Sequence, residues 1–420
     1  MNRLRPTLGL FGGTLLLLNI VIGAGLLVLP GLVYQQVGTL GLLAWLLCAM
    51  AAFPLLLVFI ALGQRHPSAG GVAEYARRAF GPLGQHAAAF LFLGAVIFGL
   101  PSIALTGGYY LHASTGWSAH VGAAALIIAA CVLHALPGQL LERALQFVGS
   151  ALIAVLLALL LVAALAPATS PTTTVLPRDW REPVTWWAAL APFMMIFFAF
   201  TGWEVGSHAA EEFRRPERDF PRAMLLSFAI AVLLYGCIAW LVQRAAPTHG
   251  LTAPFVELTR PVLGENGRHV VGGVALLLIL ANLFGALWGV SRLVFSLARD
   301  GILPAPLAAT RQGTPLRAIV VTVGALLAVL GADAAGALSI GQMLALAGQN
   351  FLLLYGMAAA ALLRLDERWA PRLLALLTLA VVGIVLVMAG VHLAYPAVLV
   401  GLGAASAWLS RSSAHRIDQR

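Results

Sequence analysis

Apolar runs long enough to cross a lipid bilayer recur along the whole chain, and no other feature restricts its fold so tightly. A hydrocarbon core about 30 Å thick needs about 20 residues of helix to span it. Twelve stretches qualify: 8–31, 38–62, 84–111, 119–137, 145–166, 186–210, 221–243, 269–297, 316–332, 338–363, 372–391 and 394–410. The expected fold class is an all-α polytopic membrane protein. Composition agrees, with 61% hydrophobic and 10% charged residues against roughly 25% charged in a soluble domain. The opening "MNRLRPTLGLFGGTLLLLNIVIGAGLLVLPG" is basic and then apolar, as a signal peptide is. Its apolar run is too long for one and no small-residue cleavage site closes it, so it reads as the first span.

All 25 basic residues are arginine. With the N-terminus inside, 19 of them fall on the cytoplasmic side, Arg178, Arg181, Arg244, Arg260 and Arg268 fall outside, and Arg292 lies within the eighth span. That bias is the positive-inside rule, and it predicts an even number of spans with both ends cytoplasmic. It also accounts for the formal charge of +9. No basic groove with interleaved aromatics points to a nucleic acid. Cys48, Cys131 and Cys237 all sit in spans, at spacings that suit neither a metal nor a disulfide framework.

Glycines interrupt two of the spans. "NIVIGAGLLVLP" puts Gly23, Ala24 and Gly25 mid-span in the first, and "FAFTGWEVG" puts Gly202 and Gly206 at a comparable depth in the sixth. Paired interruptions in corresponding halves are the sequence pointer to an inverted-repeat transporter. Non-helical backbone in a membrane survives only inside protein or along a water-filled cavity. Each break exposes amide N–H groups at one half-helix end and carbonyls at the other, one suited to a carboxylate and the other to an ammonium group. A zwitterionic amino acid matches both. The plainer alternative is that small residues here only allow close helix packing.

"IGAGLLVLP", "GWEVGSHAAEEFRRPERDFPRAM" and "SRLVFSLARDGILPAPLAATRQGTP" resemble the amino acid–polyamine–organocation superfamily of transporters. "GQRHPSAGGVAEYARRAFG" with "PERDFPRAM" is similar to its branch of L-methionine and branched-chain amino acid exporters. The resemblance implies a LeuT-like fold working by alternating access. A first five-helix repeat would occupy 1–166 and a second, inverted one 186–363, with two peripheral helices at 372–410 and a cytoplasmic tail at 411–420. It implies a bacterial inner-membrane location. The substrate carboxylate would meet backbone at Gly23, Ala24 and Gly25, and the ammonium would meet carbonyls near Val21, Phe198 and Thr201. Phe198 stands where relatives have an aromatic that closes over the substrate, and Ala24 stands where some have a serine.

Glu204 is the sharpest single residue. A carboxylate at mid-bilayer costs roughly 2.5–3.5 kcal/mol on insertion scales, so it faces the bundle interior and has a partner or a proton. Two roles are open to it: a proton-carrying gate, or a structural carboxylate tying the sixth helix to the first. Around the breaks stand Val21, Ile22, Ala24, Leu26, Phe197, Phe198, Phe200 and Trp203, next to Gly202 and with no other acid. Such a pocket suits an apolar amino acid. Trp288 is a further candidate for its wall, and Asn19 and Asn282 could bond between helices or line the pathway. His208, Glu211 and Glu212 have ligand-like helical spacing, but their place at a helix end predicts a solvated face. Arg292 is expected to snorkel or to pair with Asp300.

Sodium-coupled members of the superfamily use hydroxyls midway along the eighth span, and "VVGGVALLLILANLFGALWGV" has neither Ser nor Thr. The fifth span has no lysine. Proton antiport, exchange and facilitation stay open. The leading reading is an exporter of methionine, leucine, isoleucine and valine with protons as the exchanged ion; an uptake permease of the same fold is the alternative. Its partners are the amino acid, the lipid bilayer and protons, with no cofactor, no metal and no motif that sets an oligomeric state. An intramembrane enzyme would need a nucleophile–base set or a HExxH or DDxxD motif, and none is present.

Overall fold

The computed structural model describes residues 9–65, 71–135, 154–155, 157–165, 183–204, 213–299, 301–310, 315–388 and 393–417. None of these residues forms a strand. The helices are α1 (Leu10–Val21), α2 (Ala24–Val37), α3 (Gly41–Arg65), α4 (Gly71–Thr115), α5 (Ala119–Ala135), α6 (Pro183–Leu190), α7 (Phe193–Phe197), α8 (Pro216–Ala245), α9 (Pro254–Arg299), α10 (Leu316–Ala334), α11 (Ile340–Leu365), α12 (Trp369–Met388) and α13 (Ala394–Ile417). Seven described stretches are long and apolar enough to cross a membrane: Ala24–Arg65, Gly71–Thr115, Pro216–Ala245, Pro254–Arg299, Leu316–Ala334, Ile340–Leu365 and Trp369–Met388. Ala119–His134 and Ala394–Trp408 are shorter apolar helices. The protein is therefore helical and polytopic. Much of the expected span at 145–166, and the end of the one at 186–210, lie outside the described residues.

Two polar segments between the expected spans, 63–82 and 244–268, are helical over much of their length, and each leads into a long span. α4 starts at Gly71 and turns at Gly81 (φ 72°). α9 starts at Pro254 and turns at Gly264 (φ 65°). These backbone angles lie in the left-handed region, where glycine carries no Cβ penalty. The same residues recur around both turns: Glu-x-x-Arg-x-x-x-Gly-x-x-Gly-x-His fits 74–86 and again 257–269. In each copy the acid pairs with the arginine one turn on, Glu74 with Arg77 at 2.6 Å and Glu257 with Arg260 at 3.6 Å. Pairs at this spacing support a short amphipathic helix. The i,i+3 order of acid and arginine supports helix in both stretches.

α11 runs along α4 and α7 in the core, and α9 crosses α4 and α5. α1 packs against α8, which also contacts α2. At the arginine-rich end Arg65 forms an ion pair with the buried Asp366 carboxylate. Arg372 Nε donates to the Asp366 carbonyl at 2.9 Å, and Gln64 donates to the Glu217 carbonyl at 2.9 Å. Burial pushes the Asp366 carboxyl up, but the Arg368 N–H and the Arg65 guanidinium outweigh it and hold the group below its usual range. At the opposite end the Tyr110 hydroxyl donates to the Leu27 carbonyl at 2.9 Å and accepts the Phe255 N–H at 3.4 Å. These bonds tie α4 to α2 and to the start of α9.

Candidate functional site

The first span breaks where the glycines predict. α1 stops at Val21, and Ile22 leaves the helix with an extended backbone (φ −78°, ψ 95°). α2 begins at Ala24, and no side chain caps its start at Gly23. The first amides of a helix have no intrahelical acceptor, so those of Gly23, Ala24 and Gly25 lead the positive end of the α2 dipole. Asn282 of α9 stands against this point: a Cβ on Gly23 would lie 2.9 Å from its Nδ2. Val21, Ile22 and Ala24 are buried.

The second break follows α7, which tightens into a 3-10 turn at Phe198–Phe200. Thr201 is extended and Gly202 takes φ 109°, in the left-handed region. The Thr201 hydroxyl closes the turn by donating to the Phe198 carbonyl at 2.7 Å. The two breaks touch, since a Cβ on Gly25 would sit 3.3 Å from the Ala199 Cβ. Amides at the start of α2 and carbonyls of the 198–200 turn therefore come from different helices at one place.

Side chains from elsewhere complete the junction. The Tyr235 hydroxyl of α8 donates toward the Val21 carbonyl at 3.3 Å and the Ala199 carbonyl at 3.2 Å. The Glu204 carboxylate is buried and accepts the Gly202 N–H at 2.9 Å. Tyr355 of α11 donates its hydroxyl proton to the same carboxylate oxygen and lies 3.2 Å from the Gly202 nitrogen. Among the described contacts, Glu204 thus bonds to its own break and to α11.

Phe198 leans onto α4 and α11: a Cβ on Gly99 would meet its ring at 2.9 Å, and Phe351 lies 6.4 Å away. Trp203 is fully buried, tilted 5.7 Å from Phe228. Trp288 stands six residues along α9 from Asn282 and is 40% exposed. The Arg292 guanidinium covers its ring at 3.5 Å. Gly206, His208, Glu211, Glu212 and Asp300 lie outside the described residues, as does the side chain of Asn19.

A profile of the amino acid permeases matches residues 8–407. The chain belongs to that family. The permease is 30% identical over 403 residues to the uncharacterized amino acid permease YecA of Bacillus subtilis, covering 93% of each chain. It is 31% identical over 244 residues to the L-methionine/branched-chain amino acid exporter YjeH of Escherichia coli, 56% of each chain. It is also 24% identical over 326 residues to the branched-chain amino acid permease BcaP of Bacillus subtilis, covering 72% of this chain and 69% of that one. The permease is accordingly a transporter of the amino acid–polyamine–organocation superfamily and not an enzyme. Its substrate class is amino acids and its setting a bacterial membrane.

Tyr235 and Tyr355 escaped the sequence reading. Both occur as Leu-Leu-Tyr-Gly inside otherwise apolar spans. A buried phenol needs a hydrogen-bond partner, so a lone mid-span tyrosine was the available signal.

Proposed function

We propose that this permease is a secondary active transporter that exports apolar L-amino acids, namely methionine, leucine, isoleucine and valine, in exchange for protons. The contact between the two helix breaks carries this reading. The substrate carboxylate meets the Gly23, Ala24 and Gly25 amides beside the Asn282 carboxamide. Its ammonium faces the carbonyl ends at Val21, Phe198 and Thr201. Ile22, Phe198 and Trp203 surround its side chain, and among the described residues no cation-pairing acid other than Glu204 is nearby. Glu204 acts as the gate, because protonation would take away an acceptor that holds Gly202 and Tyr355.

The transporter works by alternating access between two inverted five-helix repeats, 1–166 and 186–363, followed by peripheral helices at 372–410 and a tail at 411–420. The recurring Glu-x-x-Arg-x-x-x-Gly-x-x-Gly-x-His segment supports the repeat, since its copies lie 183 residues apart and share a left-handed glycine. Two interrupted helices fit a site at the repeat interface. The arginine bias supports cytoplasmic termini. The exporter relative supports the direction and the branched-chain permease supports the substrate class; uptake by the same site is the second reading.

Purified permease in liposomes preloaded with unlabelled amino acids tests the proposal. Labelled leucine and methionine should enter faster when apolar amino acids are inside, and an imposed pH gradient should change the rate. Folded, inserted protein that exchanges no amino acid would overturn the substrate assignment. Exchange indifferent to the gradient would remove the proton from it.

A further inference from the structure

The two copies of the Glu-x-x-Arg-x-x-x-Gly-x-x-Gly-x-His segment share a glycine turn and differ in charge. In 74–86 one carboxylate faces two guanidiniums: Arg77 donates to Glu74 through Nε and Nη2, and Arg78 through Nε alone. The Arg77 side chain is still 50% exposed and that of Arg78 39%. A guanidinium has five N–H donors, so several remain that Glu74 does not take. Arg364, in the last turn of α11, brings a third guanidinium to 5.7 Å over the Phe80 ring and forms no ion pair among the described residues. In 257–269 the charges balance, with Arg260 held between Glu257 and Glu265. There Pro261 stands in place of Arg78, and Glu265 and Asn266 in place of Pro82 and Leu83. Both Phe80 and Leu83 are exposed. α4 continues past this turn as a span. His86 Nδ1 and the Ser406 hydroxyl share a hydrogen bond at 2.8 Å, two residues before the exposed Trp408. A tryptophan exposed at the end of a span marks the headgroup level of the bilayer.

We propose that Arg77, Arg78 and Arg364, with Phe80 and Leu83, form a binding site for the headgroup of an anionic phospholipid. Guanidiniums meet phosphate oxygens with paired N–H donors, and arginines beside a span attract anionic lipid. Glu74 holds Arg77 and Arg78 in one place, and its charge is spent on them, so the patch keeps a surplus of cation. A zwitterionic lipid brings a cation of its own and gains less there. Phe80 and Leu83 supply the apolar contact for the glycerol backbone and the first methylenes, as the apolar face of an interfacial helix does. The charge-balanced copy at 257–269 has the same turn without this surplus.

Native mass spectrometry of the purified full chain in detergent tests the site, with dioleoyl phosphatidylglycerol as the probe and dioleoyl phosphatidylcholine as the comparison. Wild type should bind phosphatidylglycerol more tightly. Arg78→Gln and Arg364→Gln should each weaken that binding about fivefold, the attraction expected of one arginine near anionic lipid, and leave phosphatidylcholine unaffected. Arg260→Gln, the same change in the charge-balanced copy, should not alter it. Arg364→Gln breaks no ion pair among the described residues, so it decides the matter if Arg78→Gln fails to fold. Equal affinity for the two lipids overturns the proposal, as does phosphatidylglycerol binding unchanged in Arg364→Gln. An equal loss in Arg260→Gln also overturns it, since the attraction would then belong to any surface arginine. Glycerol 3-phosphate, which carries the phosphate without acyl chains, should not displace the lipid at equal concentration. Displacement would assign the patch to a soluble phosphate ester and overturn the lipid as its occupant.

Discussion

The hydroxyl of Tyr355 and the main-chain N–H of Gly202 meet on one oxygen of Glu204. A carboxylate in mid-span is thereby supplied with donors from α11 and from the break it adjoins, which is how such a group is tolerated away from water.

Glu204→Gln keeps an oxygen for Gly202 but no longer exchanges a proton. Amino acid exchange should persist while its stimulation by a pH gradient disappears, measured in preloaded vesicles. Stimulation that survives would leave Glu204 a structural role only. In Tyr355→Phe the ring stays packed on Phe59 at 4.6 Å, and the lost bond to a charged group should cost about 1.5–3 kcal/mol, read as a lower melting temperature.

Gly202 holds φ 109°, which a residue with a Cβ adopts only under strain of about 1–3 kcal/mol. Gly202→Ala should therefore move the second break and cut leucine exchange at least tenfold in protein that still inserts. Normal exchange would show that the break tolerates a helical backbone.

At the first break Gly23 and Asn282 are in contact. Gly23→Ala brings a methyl to 2.9 Å from the Asn282 Nδ2 and should weaken leucine binding. Adding Asn282→Ala should restore part of the loss by making room. A double variant no better than Gly23→Ala would mean that the methyl obstructs the amides themselves.

The Glu74 carboxyl is held below its usual range, first by hydrogen bonds from Arg77, against partial burial, and then by Arg78. A depressed folded pKa adds stability above the unfolded value of about 4.3, and that stability is lost as pH falls through the lower folded value. Glu74→Gln should therefore melt below wild type at pH 6, with the difference closing below about pH 4. A constant difference across that range would assign the effect to packing.

Much of this molecule is local in origin. Span length, the glycine-marked breaks at 22–23 and 201–202 and the arginine bias depend on residues near one another in the chain, and patterning exposes them. The helices at the starts of α4 and α9 are equally local, carried by the i,i+3 order of Glu74 with Arg77 and Glu257 with Arg260.

Long-range packing alone sets which side chains reach the breaks. Tyr355 lies 151 residues from Glu204, and Tyr235 lies 214 residues from Val21. A mid-span tyrosine announces that its hydroxyl needs an acceptor and carries no information about which one. In a bilayer helices lack a hydrophobic force to sort them, and close packing with polar bonds between them sets which faces meet. The backbone openings were written in the sequence; the donors and acceptors that fill them came from the packing.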